Sequence, residues 1–144
     1  MLRIIGSVIL GYAVMAALVF ATFTLAYFAM GADKAFQPGT YDVTPLWLAV
    51  SFVLSLIAAV FGGKVCASVG RKSSAVNGLV GLVLILGLLS AVPAFTTSSS
   101  VIVRAGDVPN LEAMMNAKEP AWFALLLPVI GVVGVKIGGK SKSD

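Results

Sequence analysis

The chain contains no histidine. That removes the commonest general base and the commonest metal ligand in one step. It also removes the usual haem ligand of membrane-embedded cytochromes. A single cysteine, Cys66, leaves no internal disulfide, no C-x-x-C motif and no thiol pair for a membrane oxidase. Charge is scarce. Charged residues make up 11% of the chain, where a soluble domain has about 25%. Arg3 and Asp33 are separated by 29 uncharged residues, Asp42 and Lys64 by 21, Lys72 and Arg104 by 31, and Glu119 and Lys136 by 16. No Asp, Glu, Lys or Arg falls at mid-depth in these runs. Proton relays, coupled transport and ion pathways rest on intramembrane ionisable residues, and small four-helix drug exporters on a membrane carboxylate. A serine nucleophile would lack its base. Catalysis is therefore not expected, and the one place left for it is an outer-loop group of Asp107, Glu112 and Glu119. No metal, cofactor or nucleic acid is called for.

What remains is apolar. The hydrophobic fraction is 59% and the mean hydropathy is +1.03. A helix crosses a bilayer with about 20 apolar residues, within a range of roughly 17–25. The first three runs meet that length, and the fourth does so once Lys136 snorkels to the interface. The chain reads as one all-α membrane domain over 1–144, a four-helix bundle with helices near 4–30, 45–69, 74–95 and 120–138. A short hairpin loop joins the second and third helices, and a longer outer loop over 96–119 joins the third and fourth. The first run is too long for a signal-peptide core and is read as a retained helix.

Seven of the ten basic residues fall on one side: Arg3, Lys64, Arg71, Lys72, Lys136, Lys140 and Lys142. The other side holds Lys34, Arg104 and Lys118 with Asp33, Asp42, Asp107, Glu112 and Glu119. The positive-inside rule puts both termini in the cytoplasm, as in a bacterial inner-membrane protein. Tyr27, Trp47, Phe95 and Trp122 fall near the outer helix ends and are read as interfacial anchors.

The second span is organised by small residues. Ser51, Ser55, Ala59, Gly63 and Ala67 recur every fourth position, with Ala58, Gly62, Cys66 and Gly70 beside them. Residues four apart stack on one helix face, and small ones let another backbone approach in lipid. Ala13, Ala17 and Ala21 in the first span, Gly81 in the third, and Gly134 and Gly138 in the fourth are read in the same way. Asn77 is read as an interhelical hydrogen-bonding residue. Ser73 or Ser74 is read as the N-cap of the third helix. Pro93 is expected to end or kink that helix, and Pro128 to bend the fourth.

The run Gly63-x-x-x-Ala67-Ser68-x-Gly70-Arg71-Lys72 resembles the loop between the second and third helices of major facilitator transporters, whose pattern is G-x-x-x-D-R-x-G-R-K. The likeness covers about ten residues and holds at Gly63, Gly70, Arg71 and Lys72. Ala67 and Ser68 stand where the family has its Asp and Arg, so the family's intraloop ion pair is missing. Four spans are also fewer than that fold has.

In the outer loops, Pro38-Gly39 marks a turn, TTSSS a polar start, and Val101-Ile102-Val103 an extended stretch. Pro109-Asn110 opens a short helix whose Leu111, Met114, Met115 and Lys118 share a face. That face suits the membrane interface or a partner. Two functions fit. The first is a non-catalytic accessory or structural subunit, packed against other integral membrane subunits and lipids. The second is a homo-oligomeric channel or uncoupled transporter, its path lined by Ser51, Ser55, Thr22, Thr24 and Asn77.

Overall fold

The structure is a computed structural model and describes residues 1–96 and 102–140. Most of the TTSSS run, Val101 and Lys142 lie outside the described residues. The helices in chain order are α1 (Leu2–Met30), α2 (Ala32–Ala35), α3 (Pro45–Gly70), α4 (Ser73–Ala91), α5 (Pro93–Thr96), α6 (Asn110–Asn116) and α7 (Ala121–Lys140). The four long helices, with α4 and α5 counted as one span, are each long and apolar enough to cross a membrane. They form an all-α four-helix bundle, and the chain is a multi-pass membrane protein. Leu25, Phe28, Leu89 and Val129 are all more than half exposed on its outside. Water would not tolerate an apolar perimeter of that extent, whereas lipid does.

Local chemistry sets the helix ends. The Thr44 hydroxyl caps α3 by accepting from Trp47 N at 3.2 Å, and Pro45 takes the first helical position, where a missing N–H costs nothing. At the other end of α3, Arg71 N donates to Ala67 O at 3.0 Å with Arg71 at φ 52°. Lys72 then runs extended into α4. The turn holds two residues, Arg71 and Lys72, two fewer than expected. The N-cap of α4 is Lys72, no side chain caps it, and Ser73 is already helical. Pro93 interrupts the ladder after Ala91, and α5 continues from there.

The α3 helix packs most extensively on α7 and α1, and α4 fits against α7 and α1 in turn. Both small-residue rows of α3 face inward, with Ala58, Ala59, Gly62, Gly63, Cys66 and Gly70 buried. One row meets α7. A Cβ built on Gly63 would overlap the Val135 backbone, and one on Gly138 the Val60 carbonyl. A Cβ on Gly134 would lie 3.0 Å from Leu56 O. The other row meets α1, where a Cβ on Gly11 would sit 2.8 Å from Cys66 Cβ. On α4, Gly87 makes room for Pro128, since a Cβ there would lie 2.8 Å from the proline Cγ. In lipid the apolar faces gain little from burial against each other, so close packing of this kind holds the helices together.

Candidate functional site

The structure separates the expected packing residues. Ser51, Ser55, Ala59, Gly63, Ala67 and Gly62 on α3, with Gly134 and Gly138 on α7, lie on the faces that meet. Ala13, Ala17 and Ala21 do not, and all three are exposed. The α1 helix turns Ser7 and Gly11 inward instead. Ala13 follows Gly11 by two residues, about 200° round the helix. Gly81 is also not at a crossing, because a Cβ there would meet nothing within 4 Å. Asn77 is exposed and makes no interhelical hydrogen bond among the described residues. It lies near the start of α4, on an open cleft whose other wall is α7.

The end of the bundle away from the termini carries an ordered cap. Tyr27, Ala32, Ala35, Phe36, Tyr41, Val43, Trp47 and Ala113 form one buried cluster. Tyr27 and Trp47 pack edge to face with ring centroids 6.3 Å apart. They therefore serve as core of the cap, not as interfacial anchors, whereas Phe95 and Trp122 are exposed at the same end. The two outer loops are stitched together. The Lys118 backbone N–H donates to Tyr41 O at 2.9 Å, and Val43 N to Lys118 O at 3.2 Å. Tyr27 Oη donates to Val108 O at 2.7 Å, and Asn110 Nδ2 to Thr24 Oγ1 at 3.0 Å.

Arg104 ties the loops electrostatically. Its side chain is only 3% exposed and donates from Nη2 to Asp33 Oδ1 at 3.1 Å. Its Nε reaches Thr40 O at 3.3 Å, and Nη1 reaches Gly106 O. Several acceptors thus satisfy a guanidinium that would be costly to bury alone. Tyr41 Oη donates to Glu112 Oε1 at 2.7 Å, and this bond, followed by burial, raises the phenol above its ordinary value.

Beneath the cap lies a cavity of about 270 Å³. Phe23, Tyr27, Phe36 and Trp47 supply aromatic wall, and Ser55 and Leu127 form part of its lining on α3 and α7. Asn110 and Glu119 are polar groups on its lining. Burial pushes the Glu119 carboxyl above its ordinary value. The chemistry suits an apolar group with one hydrogen-bonding end. Asp107, Glu112 and Glu119 do not gather into a metal-binding group among the described residues. The Ser51 hydroxyl is buried without a hydrogen-bond partner among those residues.

The α6 helix buries Ala113 against the cap. Its Leu111 and Met115 point outward, 64% and 77% exposed, and Met114 is 41% exposed while also lining the cavity. The cavity and the Arg104 tie were not among the sequence expectations. The only signal for Arg104 was a basic residue isolated among apolar ones on the acidic side.

These features define a class: a multi-pass membrane four-helix bundle with a glycine-packed interior and a structured cap over one end. The chain matches no protein-family model, no curated protein and no solved structure.

Proposed function

We propose that the protein is a non-catalytic accessory or structural subunit of a larger membrane complex, in a bacterial inner membrane with both termini cytoplasmic. The observation that carries this reading is the outward face of α1. Ala13, Ala17 and Ala21 form an i, i+4 row of small residues that the bundle itself leaves uncovered. In lipid such a row lets another helix approach closely. The exposed Leu111, Met114 and Met115 of α6 offer adaptable apolar area to the same assembly at the cap.

The channel reading has less support. Thr22 spends its hydroxyl on Leu18 O at 2.6 Å within its own helix, and Thr24 accepts from Asn110. Ser51 and Ser55 lie on the α3 face toward α7, and Asn77 lies at the opposite end of the bundle from the cap. These groups trace no common path.

The test is the triple change Ala13→Leu, Ala17→Leu and Ala21→Leu, with Met114→Ser and Met115→Ser as a second variant. Native gels of membranes should show the large complex lost in the first variant and weakened in the second, with the purified bundle unchanged in helicity. A complex of unaltered size in both would overturn the subunit reading. Cross-linked species containing this chain alone would favour the homo-oligomeric channel.

A further inference from the structure

The end of the bundle opposite the cap holds a cleft of about 650 Å³. Arg71 and Lys72 from the α3–α4 turn line it, as do Lys136 and Lys140 from α7. Ser73 and Asn77 add hydroxyl and amide donors, while the Ser68 hydroxyl donates to Lys64 O at 2.7 Å within α3. No acidic residue lines it, and none of the four cations has an acidic partner among the described residues. Positive-inside bias accounts for cations at this end, but not for their convergence. Arg3 lies at the same end and donates to Val69 O at 2.9 Å, while Lys64 is exposed outside the cleft.

Two further features belong to the same place. The α4 helix starts at the cleft with no side-chain cap, so its first N–H groups are open to an anion. Arg71 adopts φ 52°, a left-handed conformation in which glycine is the usual residue at a helix end. A charged side chain is held there in spite of the backbone cost.

The wall is not all polar. Val76 and Ala67 line the cleft, and Val129, Val133 and Ile137 run from it along the exposed face of α7. A cationic cleft that opens onto a lipid-facing apolar stripe is complementary to an amphiphilic anion. We infer that this cleft holds the phosphodiester headgroup of an anionic phospholipid, with an acyl chain along α7. The lysines would neutralise the phosphate, and Ser73, Asn77 and the open N–H groups of α4 would hydrogen-bond its oxygens.

The full chain in nanodiscs of equal phosphatidylglycerol and phosphatidylcholine, released for native mass spectrometry, tests this. The wild type should retain phosphatidylglycerol at least tenfold over phosphatidylcholine. Lys72→Gln, Lys136→Gln and Lys140→Gln together should abolish that preference, since each cation near a phosphate contributes about fivefold. The corresponding triple change to Arg should keep it, and so should Lys64→Gln. Equal retention of the two lipids by the wild type would overturn the inference. So would undiminished preference in the triple Gln variant. Binding of inorganic phosphate to the solubilised chain, without retained phosphatidylglycerol, would also overturn it, by assigning the cleft to a free anion.

Discussion

At the residue scale, Glu119 is where chemistry and burial oppose each other. It is half-buried beside α7, against the aromatic cavity, and desolvation raises its carboxyl above the ordinary value of 4.5. A raised acid binds its proton more tightly in the folded state than in the unfolded one. Folding stability is then greatest below the ordinary value and falls as pH rises through the raised one. The thermal midpoint of the purified protein should therefore decline relative to that of Glu119→Gln as pH increases from about 4 to about 8. At neutral pH the variant should be the more stable of the two. A difference between the two curves that stays flat with pH would show that the carboxyl is solvated. Arg104 shows the opposite solution to burial, because carboxylate and carbonyl acceptors from both loops satisfy its charge. The sequence marked Glu119 only as one of three outer-loop acids and Arg104 only as an isolated basic residue, since their surroundings are built by segments far apart in the chain. Tyr41 and Glu112 are 71 positions apart, and Thr24 and Asn110 are 86 apart.

At the element scale, glycine spacing alone does not say which helix faces meet. Gly81 and Gly138 both read as packing glycines. Gly138 lies where a Cβ would overlap the Val60 carbonyl, a neighbour that belongs to the backbone of α3 and cannot rotate away. Gly81 lies over open space. Gly138→Ala should destabilise the bundle by about 1–3 kcal/mol, the usual cost of overpacking. Gly81→Ala should stabilise it by about 0.4–1 kcal/mol through loss of unfolded-state freedom. Unfolding of the two variants in mixed micelles measures both, and equal effects would contradict the crossing of α3 and α7. The spans themselves were legible because uncharged length alone marks them. The α3 rows were legible because its two small-residue rows lie side by side and account for most of its inward surface. That the α1 row faces outside the bundle was not legible for a physical reason: in a membrane helix both faces are apolar, so composition does not tell the side packed within the bundle from the side turned away from it. Tyr27 and Trp47 were misassigned similarly. An aromatic residue at a helix end suits the interface and the core of a cap equally, and only the fold of the loops decides.

At the scale of the whole molecule, the two ends are built for different surroundings. The capped end carries Asp33, Asp42, Asp107, Glu112 and Glu119, and its loops are held by Arg104 and by backbone bonds between them. The other end carries Arg3, Lys64, Arg71, Lys72, Lys136 and Lys140, with one two-residue turn and no folded loop among the described residues. A cap with its own aromatic core needs no help from the membrane to keep its shape, which suits an aqueous face outside the cell. A row of cations with short connections suits the side where anionic lipids and the insertion machinery retain positive charge. The asymmetry predicts the orientation directly. Cys66 is fully buried, so it leaves the folded chain with little background for thiol labelling. In intact cells, an impermeant maleimide should modify Gln37→Cys, which is exposed on the first cap loop. The same reagent should reach Lys140→Cys, exposed at the end of α7, only after the membrane is permeabilised. Labelling of Lys140→Cys in intact cells with protection of Gln37→Cys would invert the bundle. It would place the acidic cap in the cytoplasm and leave the basic cleft facing outward.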